Sequence, residues 1–202
     1  MNLLNDPWNI VFFVGFLAYL RIRGVYAHRT KHEPKTHRQI DGLEKVLLIA
    51  VIASSLLLPL LYLFTPLLSF ADYELPAAFR WLGAAVMISA LWLFWRSHAD
   101  LGRNWSVSLE IRKQHTLVKH GVYRLIRHPM YAAIWLFSIA QALLLANWLA
   151  GWSAVVPFAV MYFLRTPREE RMMCQFFGQE YEDYMRQTGR LFPRIWKARD
   201  PL

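Results

Sequence analysis

The sequence has 202 residues, of which 56% are hydrophobic and 18% are charged, and its formal net charge is +9. A single cysteine, Cys174, excludes an internal disulfide and any metal site built from several cysteines. The charges are confined to a few stretches between long apolar runs, which indicates a membrane-embedded chain and argues against a nucleic-acid partner.

Five apolar segments are predicted to cross the membrane, because each is a long run with few or no charges. In chain order they are residues 8–20, 43–70, 77–95, 131–148 and 152–164. We therefore expect an all-α integral membrane protein that forms one domain over residues 1–202. Residues 1–95 hold the first three helices, and residues 96–202 hold the last two together with the candidate catalytic region. No cleavable signal peptide is expected, since no basic region precedes the first apolar run.

The basic residues predict the orientation of these helices. All but Arg80 of the 23 lysines and arginines lie in residues 21–45, 96–130 and 165–202. Short connections on the other side carry acidic residues such as Asp6 and Asp72. The positive-inside rule then places the N-terminus outside, and it places the basic loop 21–45 and the C-terminus in the cytoplasm.

Two apolar segments show irregular features. Pro59 and Pro66 near the outer end of the second segment predict a kink or a helix end there. The fifth segment has about 13 residues before Arg165, so it barely crosses the roughly 30 Å of hydrocarbon. We expect it to pack against the fourth segment as the short arm of a helical hairpin and to end at Arg165.

The cytoplasmic stretch before the fourth segment contains a candidate anion site. Pro129 suits the first turn of a helix, where its missing N–H is not needed. The free N–H groups and positive dipole at such a helix start favour an anion such as a carboxylate, with His128 and Tyr131 lining the entrance. The alternative is a simple helix start with an interfacial His and Tyr. Residues 107–111 alternate apolar and polar side chains, so a short extended piece is expected there.

The stretch after the fifth segment offers a candidate cation site. Glu169 and Glu170 follow Pro167, and a carboxylate there would neutralise an ammonium or sulfonium group; alternatively, acidic residues simply favour the first turn of a helix that begins after a proline. Arg165 either extends towards the lipid headgroups or holds a carboxylate substrate.

Two further patterns carry less chemical information. The aromatic residues Phe177, Tyr181 and Tyr184 have spacings that place them on one helix face, which is typical of an interfacial helix. The first basic loop contains histidines at positions 28, 32 and 37, but they have no acidic or cysteine partner at a recognisable offset, so no metal site is predicted. The chain also lacks the alternating strands and helices of a Rossmann-like sheet, so any cofactor site must be made from helix ends and loops.

Two motifs together resemble the isoprenylcysteine carboxyl methyltransferase family. The first is His-Thr-Leu-Val-Lys-His-Gly-Val-Tyr-Arg-Leu-Ile-Arg-His-Pro-Met-Tyr at residues 115–131, and the second combines Glu-Glu with a later Phe-Phe-Gly-x-Glu-Tyr-x-x-Tyr. The likeness covers roughly residues 100–195. Membrane phospholipid N-methyltransferases share a looser version, and sterol reductases have a distant C-terminal likeness.

The resemblance implies roles for individual residues. Arg165 would be the catalytic residue that holds the substrate. The residues expected to bind the cofactor, S-adenosylmethionine, are His115, Thr116, Leu117, Val118, Tyr123, His128, Pro129, Met130, Tyr131 and Glu169. A family glutamine upstream of this run has no clear match, because the segment 108–114 is shorter here.

The resemblance also implies an activity. S-adenosylmethionine would supply a methyl group to the carboxylate of a lipophilic, isoprenylcysteine-like acceptor that enters from the bilayer. The alternatives are phospholipid N-methylation, an NADPH-dependent reductase, and a non-catalytic scaffold whose basic loops hold anionic lipids. A multi-pass location with the site on the cytoplasmic side is expected, in a prokaryotic inner membrane or, for a eukaryotic chain, in the endoplasmic reticulum. The sequence leaves open which acceptor is used and how many subunits assemble.

Overall fold

The regular structure of the chain is helical. A computed structural model describes residues 3–29, 42–102 and 116–194, and within these ranges no strand is present. The α-helices of the described chain are α1 Pro7–Arg29, α2 Gly42–Ile52, α3 Leu58–Phe64, α4 Ala77–Leu101, α5 Pro129–Leu145, α6 Trp148–Trp152, α7 Val155–Phe177 and α8 Gln179–Gln187. The predicted all-α class is confirmed. Helix α4 continues across the expected division at residue 95 and ends at Leu101.

Several of these helices are long and apolar enough to span a bilayer. The spanning stretches are Pro7–Arg29, Lys45–Phe64, Ala77–Leu101 and Trp148–Phe177. Helix α5 is apolar too, but it has 17 residues, so at about 1.5 Å rise per residue it is about 26 Å long, less than the roughly 30 Å hydrocarbon core. The chain is a multi-pass membrane protein, and α5, not the fifth segment, is the short apolar helix. The orientation stays a prediction.

Helix α7 corrects the expectation that the fifth segment ends at Arg165. It continues through Pro167, which lies inside the helix, and ends at Phe177. A proline removes one backbone hydrogen bond from a helix, but Thr166 and Glu170 on either side of it are buried. Glu170 forms ion pairs with Arg127 and Arg190, which belong to other segments, and these contacts support α7 beyond the proline. Glu170 therefore lies on the same helix as Arg165 and not in the first turn of a new one.

The second apolar segment contains the predicted irregularity. A π-helical turn, Ala53–Leu57, separates α2 from α3, and Pro59 occupies the first turn of α3. A π-turn leaves local backbone groups without their usual helical partner, so the proline is accommodated at a point where the hydrogen-bond pattern already changes. Helix α3 then ends at Phe64, two residues before Pro66, as the prolines predicted.

Small residues bring α1, α4 and α5 close together. A Cβ atom on Gly83 of α4 would lie 2.8 Å from Cβ of Leu143 on α5, and one on Gly15 of α1 would lie 2.8 Å from Cγ of Met87 on α4. Between these contacts, aromatic side chains such as Phe12 are fully buried. This core fixes the position of α5, whose first turn forms the site described below.

Asn147 holds the turn between α5 and α7. Its side-chain oxygen accepts hydrogen bonds from the backbone N–H groups of Leu149 (3.0 Å) and Ala150 (2.8 Å) and so caps α6. Its side-chain nitrogen donates to the carbonyl oxygen of Leu68 (2.7 Å) and to Oδ1 of Asp72 (2.8 Å). The side chain is fully buried. The predicted hairpin is present, and this residue ties it to the α3–α4 connection.

Replacing Asn147 by alanine is therefore expected to lower the free energy of unfolding by about 2 kcal/mol, because a helix cap and buried hydrogen bonds are lost together. The measurement is thermal unfolding of the detergent-purified protein. Ser89→Ala is the control, since the exposed Ser89 hydroxyl donates to the Ala85 carbonyl of its own helix. Equal melting temperatures for both variants would contradict the role given to Asn147.

Candidate active site

The start of α5 forms one wall of the site. Pro129 occupies the first turn and His128 precedes it, as the sequence predicted. The positive end of the α5 dipole therefore lies at this point. The His128 ring is buried, and it stacks on the ring of Tyr131 with 5.5 Å between the ring centroids. The start of α5 therefore brings the two predicted site residues His128 and Tyr131 into contact.

Helix α7 supplies the opposite wall. The Tyr131 hydroxyl donates a hydrogen bond of 2.7 Å to Oε2 of Glu169. Arg165 lies four residues earlier on the same helix, so it projects from the same side of α7 one turn away. The fold therefore brings Tyr131 into direct contact with Glu169 and places Arg165 one helical turn before Glu169 on α7.

The neighbouring carboxylate, Glu170, lies between two arginines and a histidine. Nη2 of Arg190 donates to its Oε2 at 2.6 Å, and Nε of Arg127 donates to its Oε1 at 3.0 Å. Nε2 of His128 lies 3.2 Å from the same Oε1. The Glu170 side chain is 8% exposed. Its negative charge is therefore matched inside the protein.

The two adjacent glutamates thus differ in what they can offer a ligand. Glu169 is half-buried and accepts its hydrogen bond from a neutral phenol, and within the described residues it forms no ion pair. A carboxylate that is partly removed from water and has no cationic partner attracts positive charge. Glu169, and not Glu170, is suited to meet a cationic ligand group.

An aromatic cluster lies beneath this pair, between α5 and α7. Trp135 contacts Phe158 edge-on at 5.1 Å between ring centroids and Tyr162 at 6.3 Å. The Tyr131 ring adds an edge contact of 5.8 Å to Tyr162. Such rings provide an apolar surface below the charged groups.

The C-terminal segment covers the start of α5. The backbone N–H of Arg127 donates to the carbonyl of Gly189 (2.8 Å), and that of His128 donates to the carbonyl of Arg190 (3.0 Å). The Tyr184 hydroxyl donates to the carbonyl of Tyr123 (2.7 Å). Burial raises the pKa of Tyr184, so its hydroxyl keeps this proton at neutral pH.

The aromatic stripe expected on one helix is divided between two. Gly178 has φ +56 and separates Phe177, the last residue of α7, from Tyr181 and Tyr184 on α8. Both tyrosines are buried within the protein. The expectation of a single interfacial face is therefore wrong, because a left-handed glycine ends the helix in the middle of the pattern.

A tight turn fixes the segment that follows the predicted cofactor run. Asp100 accepts hydrogen bonds from the Val122 backbone N–H (2.9 Å) and from Nη2 of Arg96 (2.7 Å). Gly121, with φ +58, sits so close that an added Cβ would lie 2.0 Å from Oδ2 of Asp100. Only glycine fits this approach and this backbone conformation.

The remaining predicted residues have varied surroundings. Thr116 is exposed, Leu117 is half-buried, and Val118 and Tyr123 are buried against the end of α4. Pro129 is buried and Met130 half-buried in the first turn of α5. His115, the extended piece at 107–111 and the shortened segment 108–114 lie outside the described residues. The cofactor contacts of all these residues stay predictions.

The histidines of the first basic loop are only partly described. His28 is exposed at the end of α1, whereas positions 32 and 37 lie outside the described residues. Within the part of the chain that the structure describes, no group of histidine, cysteine and acidic side chains could hold a metal ion.

Sequence reasoning missed the residues that bind Glu170. Successive residues on a helix point about 100° apart, so the Glu-Glu pair itself indicated that its two carboxylates face different surroundings. Arg127 directly precedes His128 and belongs to the same motif. Arg190 carried no local signal, because a separate helix lies between it and Glu170.

Comparisons with known proteins all find membrane methyltransferases. A family model described as phospholipid methyltransferase matches residues 78–180, which are 103 of the 202 residues. The probable protein-S-isoprenylcysteine O-methyltransferase of Oryza sativa subsp. indica is 33% identical over 96 residues, which are 46% of this chain and 50% of that protein. The protein-S-isoprenylcysteine O-methyltransferase of Homo sapiens is 35% identical over 92 residues, 46% of this chain and 32% of that one.

A solved structure is similar as well. It is the eukaryotic intramembrane Ras methyltransferase, isoprenylcysteine carboxyl methyltransferase, with 28% sequence identity and a TM-score of 0.51. The match covers 75% of this chain and 50% of that one. The chain thus spans about half or less of the length of these relatives. The region that matches the family model contains Tyr131, Arg165 and Glu169.

Proposed function

This chain belongs to the phospholipid methyltransferase family, and from that premise we propose that it methylates the carboxylate of a lipophilic, isoprenylcysteine-like acceptor with S-adenosylmethionine. The resemblance to isoprenylcysteine carboxyl methyltransferases that the motifs predicted is confirmed by relatives of that name. The activity and the acceptor are inferred from the site, as follows.

The observation that carries the proposal is the Tyr131–Glu169 pair beside the start of α5. S-adenosylmethionine bears a sulfonium and an ammonium, which are positive, and a carboxylate, which is negative. Glu169 offers a carboxylate without a cationic partner in the described chain, and the α5 start offers backbone N–H groups and a positive dipole. The charges of the site residues therefore fit those of the cofactor.

Arg165 is proposed to hold the acceptor. A guanidinium matches a carboxylate in geometry, and Arg165 lies one turn from Glu169 on α7. When bound, the cofactor supplies a methyl group from its sulfonium sulfur, and an acceptor carboxylate takes it without losing a proton, since it is ionised at neutral pH. The protein needs no strong base, and its contribution is to align the acceptor and exclude water. The aromatic cluster beneath would contact the apolar part of the acceptor.

Phospholipid N-methylation is the second candidate, and the description of the matching family favours it. An amine acceptor must lose a proton before or during methylation. Glu169 or the phosphate of the lipid headgroup would have to take that proton. The carboxylate acceptor needs no such group, and both the similar relatives and the similar solved structure are carboxyl methyltransferases, which favours the first candidate.

Binding and transfer assays on the detergent-purified protein test the proposal. Calorimetry should show micromolar binding of S-adenosylmethionine and none of NADPH. Transfer of a radiolabelled methyl group to a prenylcysteine analogue should exceed transfer to phosphatidylethanolamine. The reverse preference would establish N-methylation instead. A folded protein that binds NADPH but not S-adenosylmethionine would refute both methyltransferase assignments.

A further inference from the structure

Glu170 ties together three separate parts of the chain. Arg127 comes from the segment before α5, Glu170 lies on α7, and Arg190 follows α8. Nε of Arg190 lies 3.2 Å from Oε1 and 3.1 Å from Oε2 of Glu170, in addition to the 2.6 Å bond from Nη2. This fork-shaped, charge-assisted contact is both strong and directional.

Arg127 reinforces the same connection from the other side. Its Nη1 donates to the carbonyl oxygens of Met185 (3.0 Å) and Thr188, at the end of α8. The Thr188 hydroxyl in turn donates to the Tyr184 carbonyl at 2.6 Å. The end of α8 and the segment 188–190 are thereby held against the start of α5.

The two arginines differ in their access to water. The side chain of Arg127 is 9% exposed, whereas that of Arg190 is 52% exposed. Arg127 is thus part of the interior, and Arg190 closes the cluster from the solvent side. The Glu170 carboxylate raises the pKa of Arg190 above its ordinary value, so the arginine stays charged.

Direct contacts lead from Arg190 to the proposed ligand site. Glu170 contacts His128, the His128 ring stacks on Tyr131, and Tyr131 donates to Glu169. Each of these contacts is within hydrogen-bond or ring-stacking distance. A change at Arg190 therefore reaches the ligand site without Arg190 having to touch a ligand.

We propose that Arg190 is a positioning residue that, through Glu170, fastens the C-terminal segment 188–190 over the start of α5 and thereby retains the cofactor. The inference rests on the proposed function. Arg190 sets the dissociation of the cofactor and takes no part in methyl transfer. Its loss weakens cofactor binding while the chemical step keeps its rate at saturation.

Arg190→Gln is the test, with Arg186→Gln as the matched control. Arg186 belongs to the same C-terminal region, but its ion pair with Asp183 is exposed on both sides, at 71% and 53%. Loss of the charged contact should raise the Kd and KM for S-adenosylmethionine about tenfold, the effect of one charge-assisted hydrogen bond. The kcat should stay within about twofold, since no transition-state contact is removed. Arg186→Gln should leave all three values unchanged.

Hydrogen exchange of the protein without ligand supplies an independent readout. The amide groups of Arg127 and His128 donate to the C-terminal segment, so they should exchange faster in Arg190→Gln and at the original rate in Arg186→Gln. Arg190→Lys, which keeps the charge but not the fork, should give intermediate exchange and binding. It also keeps the test valid if Arg190→Gln fails to fold.

The two ideas can fail separately. Unchanged exchange and unchanged cofactor affinity in Arg190→Gln would overturn the positioning role while leaving the methyltransferase assignment intact. A fall in kcat at saturating cofactor with an unchanged Kd would also overturn it. Wild-type protein that binds no S-adenosylmethionine would refute the proposed function, and the exchange rates would still report whether the segment is fastened.

Discussion

Replacing Glu169 by glutamine is expected to raise the Kd for S-adenosylmethionine by about 10- to 100-fold, which corresponds to the loss of a hydrogen-bonded charge at a half-buried position. Glutamine keeps the size of the side chain and can still accept the hydrogen bond from Tyr131. The negative charge is the property removed. Calorimetry on the purified protein measures the change, and melting temperature should stay near the wild-type value.

Glu182→Gln is the control for this experiment, because Glu182 is exposed on α8. Like Glu169→Gln, it removes one negative charge from the part of the chain that is predicted to be cytoplasmic. It therefore reports any general electrostatic effect on binding. Tyr131→Phe should have a smaller effect, about fivefold, since it removes a neutral hydrogen-bond donor. If Glu169→Gln bound the cofactor as tightly as Glu182→Gln, Glu169 would have no role in the site.

Glu170→Gln is expected to lower the free energy of unfolding by about 3 kcal/mol, and to weaken cofactor binding as well because it removes the partner of Arg190. The substitution leaves Arg127 buried beside a neutral amide, and breaking a buried ion pair from one side leaves the other charge uncompensated. Arg190 would lose its partner as well. Thermal unfolding in detergent, in the absence of ligand, measures the effect.

The matched control is Glu180→Gln, which removes the ion pair between Glu180 and Lys119. Their side chains are 53% and 46% exposed, respectively. Exposed pairs contribute about 0 to 1 kcal/mol, so this variant should melt close to the wild type. Equal melting temperatures for Glu170→Gln and Glu180→Gln would show that the buried cluster does not stabilise the fold.

The apolar segments and the start of α5 could be predicted from local features of the sequence. Long runs without charges can satisfy their backbone in lipid only as helices, so the positions of the spans follow from composition. Pro129 marks a helix start because its fixed φ and missing N–H suit only the first turn. The family motifs named Tyr131 and Glu169 as cofactor-binding residues, but the hydrogen bond between them came from the structure.

The position at which α7 ends could not be predicted from local features of the sequence. Pro167 and the charged residues after it predicted a boundary at Arg165, but α7 runs to Phe177. Whether a proline interrupts a helix depends also on the contacts of its neighbours, and Glu170 forms ion pairs with Arg127 and Arg190 from other segments of the chain. The local penalty was visible in the sequence, and the compensating contacts were not.

The sequence by itself therefore determined the membrane character, the helical class and the pair of motifs that contain the candidate site residues. These depend on hydrophobicity and on residues close together along the chain. Only the tertiary structure decided which glutamate has no cationic partner among the described residues and which is held by Arg127 and Arg190. The reason is that the environment of a carboxylate is set by groups brought to it from other helices, and neither spacing nor composition specifies those neighbours.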